Sequence, residues 1–235
     1  MFETFGGYLV YVALLLVIPL WAQMRVKSAY SKYSQIASSS GMTGAQVARK
    51  ILDDNGLYNV TIEPVKGKLT DHYDPRQKVV RLSEQNYYGN SVAGAAVAAH
   101  EVGHALQDEE GYAFLRFRHA LVPIANFGSN FSFILILAGA VLTSTGMMYG
   151  ANIMLAGIVL MAGAVLFQLV TLPVEFNASS RAMEQIVSAG VIRNDEERET
   201  KKVLSAAALT YVAAALVAVL ELVRFILMFV AMNRD

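Results

Sequence analysis

Residues 121–174 contain no charged side chain. About 20 apolar residues in helical form cross a bilayer core, so this stretch is long enough to cross twice. Its break falls at Ser144-Thr145-Gly146 and Tyr149-Gly150, which predicts a tight hairpin of two membrane helices. Helices are required because a backbone in hydrocarbon finds no water for its N–H and C=O groups. Two further apolar runs, 6–23 and 208–232, predict a first and a fourth span. The first reads as a retained helix rather than a cleaved leader. Met1-Phe2-Glu3-Thr4 has no basic residue, Pro19-Leu20-Trp21 is a poor cleavage context, and Arg25, Lys27 and Lys32 follow the run instead of preceding it. Within the spans, Asn126, Ser129 and Asn130 are expected to bond between helices. Glu221 and Arg224, three residues apart, are expected to pair with each other.

Charge partition sets the expected sidedness. Most lysines and arginines lie in 25–119, most of the others lie in 174–204, and the N-terminal stub and hairpin loop have none. The positive-inside rule then places both charged regions in the cytoplasm and both termini outside. The expected organisation is a first transmembrane helix (1–24), a cytoplasmic domain (25–119), a transmembrane hairpin (120–173), cytoplasmic helices (174–207) and a fourth span with the C-terminus (208–235). Within 25–119, Thr43 and Gln46 form a capping box that starts a helix, and Asn55-Gly56 stops it. Tyr58, Val60 and Ile62 alternate as in a strand. The stretches 69–73 and 78–83 read as extended, with Asp74-Pro75-Arg76-Gln77 as the turn between them. A polar connector is expected over 30–40, and a second capping box at Asn194 and Glu197. The domain is therefore small and α+β.

Its chemistry centres on His100-Glu101-Val102-Gly103-His104, in a helix expected over 91–110 and ended by Gly111. Residues four apart on an α-helix differ in direction by about 40° and lie about 6 Å apart along the axis. Both imidazoles can therefore close on one metal ion, with Glu101 at the flank to take a proton from a water that the metal activates. The neighbours are Ala, Val and Leu, which suits a helix packed on its other sides. The chain has no cysteine, so metal ligands must be His, Asp or Glu. Zero formal net charge gives no reason to expect a nucleic-acid partner. A zinc hydrolase uses three protein ligands and keeps one position open. The candidates for the third are Asp108, His119 and Glu175. Asp108 lies one turn beyond His104 and is better placed to orient a histidine. His119 sits at the expected membrane edge, and Glu175 follows the third span on the same side as the histidines.

Three stretches together resemble the YugP-type bacterial membrane zinc metallopeptidases. They are Gly67-Lys68-Leu69-Thr70-Asp71-His72-Tyr73-Asp74-Pro75, Val79-Val80-Arg81-Leu82-Ser83 with the histidine motif, and Leu172-Pro173-Val174-Glu175-Phe176-Asn177-Ala178-Ser179. Gly111-Tyr112 and Leu121-Val122-Pro123 agree, and the resemblance covers nearly the whole chain. The order of elements is more distantly similar to the HtpX-type, gluzincin-like proteases. That similarity implies that a glutamate after the hairpin is the third ligand, the place Glu175 occupies. In that family an aspartate stands four residues later, where this chain has Ser179; Asp108 is a possible substitute for its bond.

The expectation is thus an α-helical multipass membrane protein with a small cytoplasmic α+β, zincin-like metalloprotease domain. His100, His104 and Glu175 would hold Zn²⁺, Glu101 would move the proton, and the substrate would be a protein or peptide. Tyr211 and His72 are candidates for stabilising the oxyanion, and 78–83 is a candidate edge strand for an extended substrate. Rival readings are an intramembrane protease and a non-catalytic scaffold that zinc ties together. Neither oligomeric state nor a membrane partner is readable.

Overall fold

The computed structural model describes residues 5–233; the N-terminal stub, Arg234 and Asp235 lie outside the described residues. Along the chain run α1 (Phe5–Tyr33), α2 (Gly44–Asp54), β1 (Thr61–Val65), β2 (His72–Asp74), β3 (Val79–Ser83), α3 (Glu84–Tyr88), α4 (Val92–Glu109), α5 (Ala113–Ser144), α6 (Gly150–Ser188) and α7 (Asn194–Met232). The protein is mostly helical, with one small three-stranded sheet. The helices α1, α5, α6 and α7 are each long and apolar enough to cross a membrane.

Two of these helices run further than their sequence signals imply. The expected polar connector at 30–40 begins inside α1, which continues to Tyr33 because Tyr30 and Tyr33 are both buried in a core. Pro173 does not start a new helix either. It lies inside α6, where its missing N–H costs one i→i−4 bond without ending the helix. Glu175 is therefore an interior residue of a long helix, not the opening residue of a short one.

The chain divides into two compact units. One comprises Leu20–Tyr112 and Val174–Thr210, and its core surrounds α4. Val47, Ala48, Ile51 and Leu52 of α2, Val80 and Leu82 of β3, and Ala182 and Ile186 of α6 pack with Ala95, Ala98, Ala99 and Val102 of α4. Each large apolar side chain so buried contributes about 1.5–3 kcal/mol. Thr43 caps α2 through the expected box with Gln46, and Gly56, at φ 74°, supplies the left-handed residue that ends it. The capping device of α7 is shifted by one residue from expectation. Glu196, not Glu197, bonds back to the Arg193 N–H, and it also accepts from Ser39 N–H and Oγ.

The sheet order is β1-β3-β2, with β1 parallel and β2 antiparallel to β3. This corrects the reading of 78–83 as an edge. Val79, Val80 and Leu82 are fully buried, and β3 bonds to a strand on both sides. Its backbone groups are committed to the sheet, and the free edges belong to β1 and β2. The turn between β2 and β3 is held as expected by Asp74, which accepts from the Arg76 and Gln77 N–H groups. Below β3, Asp71 accepts from Ser83 and Asn86, and Asn86 accepts from the Tyr30 hydroxyl. This satisfies the polar atoms that the core would otherwise penalise.

The other unit comprises Met1–Pro19, Ala113–Pro173 and Tyr211–Asp235. Its helices approach through glycines. A Cβ at Gly139 would lie 2.3 Å from Met154 N, and one at Gly157 would lie 2.7 Å from Ile136 N. Close backbone packing of this kind holds helices together where burial from water supplies no drive. Phe133, Ile134, Leu137 and Val141 are exposed on α5, as lipid-facing residues are. Ser129 and Asn130 do not bond between helices; they donate to carbonyls of their own helix, at Ala125 and Asn126. Glu221 pairs with Arg224 at 2.8 Å as expected, and it also accepts from the Tyr11 hydroxyl at 2.7 Å.

Candidate metal centre

Ser91 caps α4 by accepting from the Gly94 N–H, and Gly111 at φ 64° follows its end. The motif thus sits in the middle of a helix that is buried on nearly every side. At Gly103 the backbone of α6 comes so close that an added Cβ would lie 2.6 Å from the Ala178 carbonyl oxygen. Only glycine allows that approach, and it occurs one position before His104 and three after Glu175.

The consequence is a cluster in which ligand atoms of His100, His104 and Glu175 all lie within 4.8 Å of one another. Glu175 Oε2 is 3.3 Å from His100 Nε2 and 3.5 Å from His104 Nε2. These separations are longer than the usual N–H···O bond of about 2.7–3.2 Å. They fit the spacing of about 3.3–3.4 Å between ligand atoms that sit about 2.0–2.1 Å from a tetrahedral ion. The donor set of two imidazoles and a carboxylate also suits zinc.

Outer bonds fix the imidazoles. Gln107 is fully buried and uses its amide N–H groups on the Val174 carbonyl (2.8 Å) and Asn177 Oδ1 (2.9 Å). Its Oε1, 3.0 Å from His104 Nδ1, must therefore accept, which puts the proton on Nδ1 and leaves the Nε2 lone pair facing Glu175. Arg181 donates to the same Asn177 oxygen and clamps Glu110 with two bonds of 2.6 and 2.7 Å. On the other imidazole, Ser179 Oγ stands 3.3 Å from His100 Nδ1. Ser179 therefore makes the contact for which Asp108 was the alternative. Asp108 is engaged elsewhere, accepting from Tyr73 Oη at 2.9 Å and Lys78 Nζ at 2.8 Å, and so ties α4 to the sheet.

Glu101 is buried, and among the described residues its carboxylate has no hydrogen-bond partner. Burial pushes its pKa above the ordinary carboxylate value, an effect the two nearby imidazoles only partly offset. For His104, burial opposes the charge, but the neighbouring Glu175 and Glu101 carboxylates outweigh it and raise the pKa. Of the other candidates, His72 lies in the same unit as the cluster but is exposed, with its Nδ1 at the Thr70 carbonyl, 2.8 Å away. His119 on α5 and Tyr211 on α7 belong to the other compact unit. Gln107, Asn177 and Gly103 carried no functional expectation. Gln107, three residues after His104 on the same helix face, was open to discovery by spacing alone.

Residues 8–230 match the family described as "Putative neutral zinc metallopeptidase". The chain is also 57% identical over 212 residues to "Putative membrane protease YugP" of Bacillus subtilis (strain 168), covering 90% of this chain and 92% of that one. No solved structure matches it. A family match along nearly the whole length, together with a relative of this similarity, means that the chain belongs to the YugP-type family of membrane zinc metallopeptidases.

Proposed function

We propose that this protein is a membrane-embedded, zinc-dependent endopeptidase whose site faces the cytoplasm, with His100, His104 and Glu175 as metal ligands and Glu101 as the proton carrier. The observation that carries the reading is the convergence of those three side chains, from two helices, beside a buried carboxylate with no partner of its own. Zinc in such a site supplies a Lewis acid for the scissile carbonyl and lowers the pKa of water. The chain's residues do the rest. Gln107 and Ser179 hold the imidazoles in orientation, while the packed apolar faces of α4 exclude bulk water. Glu101 takes a proton from the attacking water and delivers it to the departing amine, a role suited to a carboxylate of raised pKa.

The cluster's composition favours catalysis over a purely structural zinc site. Among the described residues no fourth His, Asp or Glu joins it, leaving a position for water and substrate. The intramembrane reading is weaker, because α4 packs in the unit that contains the sheet and is not among the helices long and apolar enough to span.

The decisive experiment is metal analysis beside a casein or membrane-protein cleavage assay on wild type and Glu101→Gln. The expected result is equal zinc in both and cleavage by wild type only. Equal cleavage by both would sink the assignment of Glu101. Sidedness rests on charge partition, with 25–119 and 174–207 as the cytoplasmic parts. The chain has no cysteine, so single cysteines at Ser39 and Asn194 can be labelled cleanly, and both should react only from the cytoplasm.

A further inference from the structure

In the unit that contains the sheet, the last turns of α1 and the first turns of α7 enclose a groove of about 520 Å³. Five cations line it: Arg25 and Lys32 from α1, and Arg198, Lys201 and Lys202 from α7. No acidic residue lines it, and among the described residues none of the five makes an ion pair. Elsewhere in the same unit, Arg49, Lys50, Lys78, Arg81 and Arg181 each pair with a carboxylate. The groove thus concentrates unneutralised positive charge, a costly arrangement unless an anion enters it.

Its other lining residues narrow the chemistry of that anion. Ser28 and Ser205 add hydroxyls, while Ala29, Ala206 and Leu209 supply an apolar wall. Along the sequence, α1 turns from apolar to basic at Arg25, and α7 turns from basic to apolar beyond Lys202. The groove therefore lies where both helices change from lipid-soluble to charged. A guest with a phosphate at one end and hydrocarbon at the other satisfies both halves. We propose that this groove binds the headgroup phosphate of an anionic phospholipid, with the cations on the phosphate and the apolar wall against the glycerol and upper chains.

Trp21, the chain's one tryptophan, provides the readout. The Arg25 guanidinium lies 5.8 Å from its ring centroid, so a lipid held by Arg25 lies close to the indole. The full chain in phosphatidylcholine vesicles would be titrated with brominated phosphatidylglycerol or brominated phosphatidylcholine, following quenching of Trp21. The expected result is a strong preference for phosphatidylglycerol. Each cation at a membrane surface is worth about fivefold in affinity for anionic lipid, so Lys201→Ala with Lys202→Ala should weaken it about 25-fold. The double Lys→Arg variant should retain the preference. So should Lys27→Ala, which removes an exposed cation of α1, two residues from Arg25 but outside the groove. Equal quenching by the two lipids, or an equal loss in Lys27→Ala, would overturn the proposal by reducing the effect to diffuse surface charge. Loss of the preference on adding inorganic phosphate at matched ionic strength would assign the groove to free phosphate and overturn the lipid claim.

Discussion

Two glutamates set among apolar side chains, one in each compact unit, are treated in opposite ways. Glu221 on α7 accepts from the Tyr11 hydroxyl and from Arg224, whose guanidinium also lies over the Phe225 and Tyr11 rings. Its charge is balanced and its position fixed. Glu101 on α4 is more deeply buried, and its carboxylate makes no hydrogen bond among the described residues. An ionised group is expensive to remove from water, and a chain normally pairs it. A fully paired carboxylate serves structure, whereas one left unpaired beside two imidazoles and a second carboxylate is in the kind of environment found at functional sites. The difference in partners, not the difference in burial, separates the two residues.

The largest effect should come from removing the unpaired carboxylate. Glu101→Gln should lower cleavage about 10²–10⁴-fold with zinc content unchanged. Glu221→Gln should leave cleavage per folded molecule near wild type. A comparable fall in both would erase the contrast.

The ligand set comes next. Glu175→Ala should lose zinc as fully as His100→Ala by metal analysis, whereas His119→Ala keeps it. Full occupancy in Glu175→Ala would end that assignment. Residues that only orient the imidazoles should have smaller effects. Gln107→Ala and Ser179→Ala should each weaken zinc binding about 10–100-fold. Asp108→Ala should leave zinc affinity unchanged, because its partners are Tyr73 and Lys78, and zinc titration of the three variants separates these cases.

On the structural side of the comparison, Glu221→Gln should destabilise the protein by about 1–3 kcal/mol, because Arg224 loses its ionised partner. Thermal melting in a fixed detergent would read this, and an unchanged melting point would show that the pair stabilises nothing. The smallest effect belongs to the Glu110–Arg181 clamp. The bonded guanidinium holds the Glu110 pKa below its ordinary value, so its contribution is present above the ordinary carboxylate pKa and disappears as pH falls through the depressed one. Glu110 is largely exposed, and the contribution is correspondingly modest. Melting curves of wild type and Glu110→Gln should differ slightly at neutral pH and converge in acid; a gap that widens in acid would rule the clamp out.

Much of this architecture was legible in the residues because it rests on local chemistry. An uncharged stretch longer than 50 residues has few options other than a membrane hairpin, and α5 and α6 turn near the predicted break. Thr43 with Gln46 announced α2, Ser91 and Gly111 bounded α4, and spacing placed His100 and His104 on one face. Apart from the one-residue shift in the cap of α7, the main misreadings concern contacts between distant parts of the chain. Whether a strand is an edge or a centre depends on who pairs with it, and β3 could not disclose β1 and β2 as neighbours on either side. Pro173 carries a real local preference against helix, but the interior packing of Val174, Ala178 and Ala182 outweighs it.

The sequence by itself determined the four helices long and apolar enough to cross a membrane, the histidine pair and the class of chemistry that the pair can support. Each of these follows from residue type and spacing within one element. Only the tertiary structure decided that Glu175 reaches both imidazoles, that Gln107 and Ser179 orient them, and that Asp108 is spent on the sheet. Those outcomes depend on how closely α4 and α6 approach, and that distance is set by the missing side chain of Gly103 against the carbonyl of Ala178.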